Sequence, residues 1–441
     1  MKKRTIVMLS AVAAVAGTTI ISAIAFLPDV DLPFRTSGTT EVESSSGPTL
    51  RDSSLVLEQV AEGLRFPTSM AFLDANNILV LQKNDGQVRL VSNGELVEQP
   101  VLQVAVENDV ERGLLGIAVW NGSSATGNEV FLYLTENVTD GKDTLAMNRI
   151  YKYNYDWDKK TLVNGTLLLD LAGGPGPYHN GGKMTIGPDG YLYAVIGDTN
   201  FSMGISDNHF TGQQPPDYRS VIMRIDRETG KAPSDNPFYG IKGLERAYAY
   251  GIRNSFGMDF DPVTNRLWMT ENGPTTYDEI NVVPPGFNSG WDKFTGPIAK
   301  SNATMDDLVM AKGAKYSDPV FNWYIPVGVT DIEFFNSDKR GEKYRNNIFV
   351  GDVNNGNLYF FEANQNRTGL YFGDEQSNLA DLVADPVPDK DTGRLDGELA
   401  PITFGKGFAA ITDVETGPDG YLYVLTHIDG KIYRITTGAG Q

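Results

Sequence analysis

The sequence predicts an all-β fold, because short strands and tight turns recur along most of its 441 residues. The heptapeptide GPDGYLY stands at 187–193 and again at 417–423. An identical string of this length indicates an internal repeat. Glycine (47 residues), tyrosine (20) and phenylalanine (21) are abundant, which is typical of many short strands joined by turns. Together these observations favour a repeat-built β architecture.

Six segments of the chain share one pattern of an apolar strand, a polar turn and an alternating strand. The turns are rich in Gly and Asn, which tolerate positive φ, and in Pro, which presets the first turn position. The segments cover 70–91, 116–137, 185–198, 258–274, 332–362 and 415–435. Six such units predict a six-bladed β-propeller, closed radially so that few sheet edges are exposed. A pair of β-sandwiches is the alternative.

Radial closure needs a strand from the other end of the chain. The segment SLVLEQVAEGL at 54–64 is expected to supply the outer strand of the blade that ends near Ile435. The domain prediction is therefore one propeller over 54–441.

The N-terminal segment predicts export. Positive residues precede an uncharged stretch from Ile6 to Leu27, whose 22 residues are long enough to span a bilayer. Within it, Ala23–Ala25 resembles a signal-peptidase site. Residues 1–27 are thus expected to be a transmembrane anchor or a cleaved signal peptide, and 28–53 a flexible tether. Either reading places the body of the chain outside the cytoplasm, membrane-anchored or secreted.

Six N-x-S/T sequons are compatible with a glycosylated, exported surface. They lie at Asn121, Asn137, Asn164, Asn200, Asn302 and Asn366.

Composition excludes several classes of function. The net charge of −19 leaves no basic stripe for a phosphate backbone, which argues against nucleic-acid binding. There is no cysteine, so disulfides, thiolate metal sites and cysteine nucleophiles are excluded. Only His179, His209 and His427 are present, which argues against a zinc site built from several histidines. Any metal is expected to be a hard cation held by oxygen atoms.

The loop GGPGPYHNGGKM places His179 between a Gly/Pro-rich stretch and the third strand segment. This position suits a general base that works near neutral pH. A hydrogen-bonded loop histidine without a chemical role is the alternative.

The fourth segment is flanked by two candidate ligand-binding strings. YGIRNSFG puts Arg253-Asn254 at a strand entrance, where they would hold a charged or carbonyl group. ENGPTTYDEINV contains Gly273-Pro274, whose carbonyls are expected to be available, and then Asp278-Glu279. Carbonyls and carboxylates in an irregular loop are the ligands that calcium takes. An ordinary acidic surface turn is the alternative.

Taken in order, these motifs resemble the glucose/sorbosone dehydrogenase family. The resemblance consists of His-x-Gly-Gly ahead of GPDGYLY and Gly-Asp, then GIRN, then ENGP and DEIN. ERGLLGIA at 111–118 also matches, and the match runs from about residue 60 to 436. The resemblance implies a six-bladed propeller that oxidises sugars with pyrroloquinoline quinone (PQQ) and calcium.

The resemblance also implies roles for individual residues. His179 would remove the proton from the anomeric hydroxyl of the sugar, and a hydride would pass to the quinone. Gly273-Pro274 match the segment whose carbonyls hold the activating calcium, which polarises the quinone carbonyl. Arg253-Asn254 match positions that contact the cofactor and the oxyanion. Asp278-Glu279 match a place where further calcium is held.

The sequence departs from the quinoprotein pattern at several cofactor positions. The replacements are Ala410-Ile411-Thr412-Asp413 for R-x-R-D, Asn354 for a lysine, Glu111 for a glutamine and Ile252 for a histidine. Because a hydrogen bond to a charged group contributes about 1.5–3 kcal/mol, two lost arginines would cost roughly 3–6 kcal/mol. That corresponds to about 10²–10⁴ in affinity. Lys183 and Lys406 are expected to compensate in part as cofactor contacts.

The leading hypothesis is an exported, membrane-tethered aldose dehydrogenase that uses PQQ and calcium on a small-molecule sugar. The second is a non-catalytic, calcium-stabilised propeller that binds a surface glycan or a protein. A hydrolase or lyase that uses the same channel is the third.

Overall fold

The computed structural model describes residues 47–122, 127–139, 141–199, 217–388 and 397–438. The predicted anchor or signal at 1–27 lies outside the described residues, as do the tether up to residue 46 and His209. Within the described ranges, no helix has the length and apolar character needed to cross a bilayer.

The described chain is built almost wholly of short strands. The first fifteen are β1 (Thr49–Leu50), β2 (Leu55–Ala61), β3 (Pro67–Asp74), β4 (Asn77–Gln82), β5 (Gln87–Ser92), β6 (Glu95–Leu96), β7 (Leu102–Gln103), β8 (Leu114–Trp120), β9 (Glu129–Thr139), β10 (Thr144–Asp156), β11 (Thr161–Ala172), β12 (Met184–Ile186), β13 (Leu192–Ile196), β14 (Val221–Ile225) and β15 (Ala247–Tyr250).

The next fifteen are β16 (Gly257–Phe260), β17 (Leu267–Glu271), β18 (Asp278–Val283), β19 (Phe287–Asn288), β20 (Lys315–Tyr316), β21 (Phe321–Trp323), β22 (Val329–Phe335), β23 (Asn347–Asp352), β24 (Leu358–Ala363), β25 (Leu370–Tyr371), β26 (Val383–Ala384), β27 (Thr403–Lys406), β28 (Ile411–Thr416), β29 (Leu422–Thr426) and β30 (Lys431–Thr437). Three short 3₁₀ helices cover Ile298–Lys300, Met305–Asp307 and Asp374–Leu379.

These strands form six sheets. Their orders are β3-β4-β5-β6 with β7 on β5, β8-β9-β10-β11, β12-β13-β14-β15-β19-β20, β16-β17-β18-β21-β26, β22-β23-β24-β27-β1 with β25 on β24, and β28-β29-β30-β2. The first strands of the six sheets contact one another in sequence, and β28 contacts β3. The contacts therefore close a ring, and the predicted all-β propeller is confirmed.

Apolar side chains fill the spaces between neighbouring sheets. One buried cluster lies at each junction of the ring. Representative pairs are Leu81 and Leu132, Tyr133 and Met223, Val195 and Met269, Trp268 and Phe334, Phe349 and Val424, and Phe72 and Tyr423. Because each apolar cluster is shared by two neighbouring sheets, each sheet needs its neighbours to bury its apolar side chains.

The last sheet is completed by an N-terminal strand, as the sequence predicts. Strand β2 pairs antiparallel with β30, with Leu55 opposite Thr437 and Leu57 opposite Ile435. The predicted tether is too long at its C-terminal end, because Thr49–Leu50 form β1 and pair with Gly405–Lys406 of β27. The polar composition of this segment indicates a flexible chain, but its backbone pairs with the free edge of β27 and is ordered by that pairing.

The first strands of the six sheets (β3, β8, β12, β16, β22 and β28) form the ring and surround the central channel, and they are called the inner strands below. Acidic side chains on three of them join one sheet to the next. Carboxylates of Asp259, Asp331, Glu333 and Asp413 accept backbone N–H groups of Phe334 (2.8 Å), Val414 (3.2 Å), Thr416 (2.9 Å) and Met70 (2.6 Å), respectively. Each acceptor lies on one inner strand and each donor on the following one. These bonds satisfy amides at strand edges that have no partner strand. With Glu415, these four acids are called the channel carboxylates below.

Candidate active site

The site is assembled by loops that precede inner strands or follow second strands. His179 lies before β12, and Arg253 lies before β16. Backbone bonds lock these loops together: the amide of Asp198 donates to the carbonyl of Arg253 (2.9 Å), and that of Asn272 to the carbonyl of Asn254 (2.8 Å). We call the end of the channel formed by these loops the site face.

His179 is held rigidly at the site face. Its backbone has φ of 58°, an uncommon left-handed conformation for a residue with a side chain. Its ring is buried, and Nδ1 lies 2.6 Å from Oδ1 of Asp198. The other oxygen of Asp198 accepts the indole N–H of Trp291 (2.7 Å). Because Asp198 acts as an acceptor, Nδ1 carries the proton and Nε2 is left to accept one.

Glu111 ties the His179 loop to the Arg253 loop. Its Oε2 accepts the backbone N–H of His179 (2.7 Å) and the side-chain amide of Asn254 (3.1 Å). Asn254 in turn accepts the amide of Gly181 through Oδ1 (3.3 Å). The structure thus brings together three residues that the sequence predicts for the site, and it gives Glu111 a positioning role.

Arg253 is a buried cation with a donor to spare. Its Nη1 donates to the carbonyl of Asn272 (2.9 Å), and its guanidinium carbon lies 5.5 Å from the centre of a ring of Trp291. Its Nε is buried and has no hydrogen-bond acceptor among the described residues. Burial lowers the pKa of Arg253, and the charges of Asp198 and Glu111 oppose that shift. An unmet buried donor costs about 1–3 kcal/mol, so Arg253 suits a carbonyl or carboxylate of a ligand.

The loop after β17 presents carbonyl oxygens. No donor among the described residues bonds to the carbonyls of Gly273 or Pro274. A Cβ at Gly273 would lie 2.2 Å from the carbonyl oxygens of Thr276 and Tyr277, so only glycine fits this tight turn. Available carbonyls in a rigid loop fit a hard cation such as calcium.

The neighbouring acids have other partners than those the sequence predicts. Asp278 accepts the amides of Gly273 (2.9 Å), Gly328 (2.7 Å) and Val329 (3.1 Å). Glu279 accepts the amide of Gly296 (2.6 Å) and the side chain of Asn281 (2.9 Å).

Both of these side chains are buried, and burial raises the pKa of Asp278 to about 6 and that of Glu279 to about 8. Their oxygens hold the loop, and their assignment as calcium ligands stays a prediction. The alternative of an exposed acidic turn is wrong, since neither side chain faces solvent.

The two lysines expected to contact a cofactor lie elsewhere. The ammonium of Lys183 contacts Asp331 (2.7 Å), Asp413 (2.8 Å) and Glu415 (3.3 Å) inside the channel. Lys406 is exposed on β27, an outer strand, opposite Thr49. Lys183 is already paired with three carboxylates, and Lys406 lies on an outer strand away from the site face. Neither lysine therefore replaces the missing arginines.

The last sheet supplies no positive charge at the replaced positions. Ala410 is buried with φ of 62°, and the hydroxyl of Thr412 donates to the carbonyl of Pro67 (3.2 Å). Beside them, His427 donates its backbone amide to Ala410 (2.8 Å), and burial lowers its pKa to about 4. The histidine here is therefore neutral at physiological pH. The site face therefore offers a place for a cation and a contact for an anionic or carbonyl group, with fewer positive charges than the quinoprotein pattern has for the three carboxylates of PQQ.

Sequence reasoning missed four residues of the site. Asp198 belongs to the Gly-Asp pair after the third repeat, so its position carried a signal. Glu271, which accepts the amide of Arg253 (2.7 Å), ends a strand without any distinctive motif. Trp291 and the buried Lys83 reach the site through the fold alone. Burial lowers the pKa of Lys83 to about 8, and the charge of Glu111 opposes this shift.

Comparison with known proteins places this geometry in context. The family model described as glucose/sorbosone dehydrogenase matches residues 64–434. The aldose sugar dehydrogenase YliI of Escherichia coli is 28% identical over 383 residues, which cover 86% of this chain and 92% of the relative. The mouse Hedgehog-interacting protein is 26% identical over 227 residues, 45% of this chain and 31% of that protein.

Solved structures share the fold. The PQQ-bound aldose sugar dehydrogenase of Streptomyces coelicolor superposes with a TM-score of 0.61 at 22% identity, covering 88% of this chain and 99% of that one. Because the family model spans most of the sequence, the resemblance seen in its motifs is confirmed. The chain belongs to the glucose/sorbosone dehydrogenase family.

Proposed function

We propose that the protein is an aldose dehydrogenase that oxidises the anomeric carbon of a small sugar with PQQ and calcium. The observation that carries the proposal is the buried His179–Asp198 pair at the site face. The unmet donor of Arg253 and the available carbonyls of Gly273 and Pro274 support it. Similarity to two aldose sugar dehydrogenases, one of them PQQ-bound, supports the same class of reaction.

The side chains divide the work of sugar oxidation. Nε2 of His179 accepts the proton of the anomeric hydroxyl, and Asp198 stabilises the resulting imidazolium. Trp291 fixes the orientation of Asp198. Arg253 binds a carbonyl or carboxylate group, and the carbonyls of Gly273 and Pro274 hold calcium. When bound, PQQ supplies the two-electron acceptor for the hydride from the anomeric carbon, and calcium increases its electrophilicity.

We expect the affinity for PQQ to be low for the family. Ala410 and Thr412 supply no charge where the quinoprotein pattern has two arginines, and Lys183 is committed to carboxylates. The energy of two such contacts predicts affinity weaker by about 10²–10⁴.

We also propose that the six sheets act as six blades around one channel and that the body works outside the cytoplasm. The ring of contacts between inner strands supports the blade count. The basic and apolar sequence at 1–27 supports export with an anchor or a cleaved signal. Exposure of the sequon residues Asn121, Asn137, Asn164, Asn302 and Asn366 is compatible with glycosylation, while Asn200 lies outside the described residues.

Reconstitution tests the function. The purified protein is incubated with PQQ and calcium, and quinone absorbance and dye reduction by a panel of aldoses are measured. We expect turnover that His179→Ala lowers by about 10²–10⁴ in kcat, the usual contribution of a general base. Calcium affinity and thermal unfolding of the variant should match the wild type. A wild-type protein that remains inert at saturating PQQ and calcium would overturn the proposal.

A second candidate function is binding without catalysis. It is favoured by the neutral Ala410 and Thr412 and by the similarity to the Hedgehog-interacting protein. The double variant Ala410→Arg/Thr412→Arg separates the two readings. If the site face is a weakened quinone site, the affinity for PQQ rises by orders of magnitude. An unchanged affinity favours the binding function, for a glycan or protein partner.

A further inference from the structure

Two neighbouring inner strands carry the same acidic pattern. Residues 330–333 of β22 read TDIE, and residues 412–415 of β28 read TDVE. Because side chains alternate along a strand, the Asp and Glu of each pattern share one face. Asp259 adds another acid from β16, the inner strand before β22. The five channel carboxylates therefore come from three consecutive inner strands.

A single ammonium offsets these five acids among the described residues. The ion pairs of the channel carboxylates all go to Lys183. The cavity beside Glu415 is lined from the other three inner strands by Ala71, Ala118 and Thr185, which carry no charge. Its loop wall includes Arg345, which pairs with Glu342 (3.4 Å). Burial raises the pKa of Asp259 to about 6 and that of Glu333 well above its ordinary value. An uncompensated buried carboxylate is costly, and a bound cation would relieve that cost.

One oxygen of the cluster receives no hydrogen-bond donor from the described residues. Asp331 is wholly buried, and its Oδ1 accepts no hydrogen bond from the described residues. Its Oδ2 already receives Lys183 and the amide of Val414. One ligand atom each from Asp331, Asp413 and Glu415 all lie within 4.8 Å of one another. That spacing is compatible with a single ion, because calcium–oxygen distances are about 2.3–2.6 Å.

The cluster is reached from the end of the channel opposite the site face. A cavity of about 730 Å³ opens there, lined by residues that follow β22 and β28, including Asn336, Asp338 and Pro418. His179 and Arg253 instead precede their inner strands, so they lie at the other end. Glu415 forms part of the cavity wall, and its side chain is 30% exposed. An ion would therefore enter past Glu415.

We propose that the channel binds a hard divalent cation of the calcium class beside Lys183, with Asp331, Asp413 and Glu415 as carboxylate ligands. This site is separate from the carbonyl loop at Gly273, and it does not depend on the proposed dehydrogenase activity. Bound there, the ion joins β22 to β28 and offsets the charge that Lys183 leaves uncompensated.

Calcium titration of chelator-treated full-length protein tests the site. Stoichiometry and affinity are measured by calorimetry at pH 7, together with the midpoint of thermal unfolding. Glu415→Gln and Asp413→Asn each remove one charge but keep the shape, and the amide oxygen of the second still accepts the N–H of Met70. We expect each variant to weaken one calcium-binding event at least tenfold. The matched control Asp338→Asn, at the exposed cavity rim, should leave that event unchanged.

The outcomes are distinguishable from those of the site face. Calcium that Glu415→Gln still binds with wild-type affinity belongs to the Gly273 loop, and PQQ binding should be unaltered in this variant. Wild-type protein that takes up no calcium overturns the channel site. So do Glu415→Gln and Asp413→Asn variants that match the wild type in affinity and stoichiometry.

Discussion

Asp198 illustrates how one side chain can organise a site from a buried position. It contacts His179 with one oxygen and Trp291 with the other, while its amide holds the Arg253 loop. Both oxygens and the amide are therefore engaged with three separate loops. The carboxylate sets the tautomer of His179 and so decides which nitrogen faces a substrate.

Replacing this acid tests the arrangement. If the protein reconstituted with PQQ and calcium turns over, Asp198→Asn should lower kcat by about 10–10³ with little change in KM, because a misoriented base affects proton transfer more than binding. The control is Asp156→Asn, which removes a surface pair with Lys159 (2.7 Å). Steady-state kinetics on one aldose measure both. A variant with unchanged kcat would show that Asp198 is only a structural acceptor.

At the scale of strands, β2 closes the last sheet by pairing with β30 over its whole length. Leu55 and Ala61 are buried in the junctions on either side. Burying a leucine side chain contributes about 1.5–3 kcal/mol, to which the backbone pairing adds. The closing strand is thus a stabilising element rather than a linker.

Two truncations compare the closing strand with the segment before it. Removal of residues 1–46 should leave thermal unfolding of the body unchanged, because β1 and β2 remain. Removal of residues 1–61 deletes both strands and should lower the free energy of unfolding by several kcal/mol, about 2 kcal/mol or more from Leu55 alone. Urea unfolding followed by tryptophan fluorescence measures both. Equal stability of the two truncations would contradict the closure.

The limits of sequence reasoning are visible at this scale. The repeats located the inner strands and the closing strand, because turn chemistry and alternation are local. The hydrogen-bond and ion-pair partners of Asp278 and Lys183 could not be predicted from local sequence. Their partners, Gly328 for one and Asp331 for the other, are brought in by the fold from distant segments. The order of motifs identifies the site loops, whereas burial decides which polar atoms remain available to a ligand.

The whole molecule carries an unusual load of buried acids. Burial raises the pKa of Glu271 to about 7, Glu279 to about 8 and Asp278 to about 6. In the native state these groups hold protons that the unfolded chain releases near pH 4. Stability from this source therefore falls as pH rises from about 4 towards 8. His427 acts in the opposite direction, because its lowered pKa makes stability fall as pH drops from about 6.5 to 4.

Three acids outweigh one histidine, so the net effect has the sign of the acids. Chelator-treated protein should unfold at a progressively lower temperature as pH rises from 5 to 8. His427→Asn removes the opposing effect, so the fall in stability with rising pH should become steeper below pH 6.5, while the slope above pH 6.5 should stay unchanged. Scanning calorimetry across the pH range checks both statements. Stability that rises steadily from pH 6 to 8 would contradict the proposed protonation of the buried acids.

The pairing of Leu55 with Thr437 also fixes the order of events in folding. The ring cannot close until both ends of the body are available, because β2 and β30 lie at opposite ends of the described chain. The loop closed by this contact is long, so its entropic cost is met late. Until then, β30 presents an unpaired edge to any other strand in solution. Refolding yield should therefore fall with protein concentration, and a chain in which β2 is already tethered beside β30 should escape that loss.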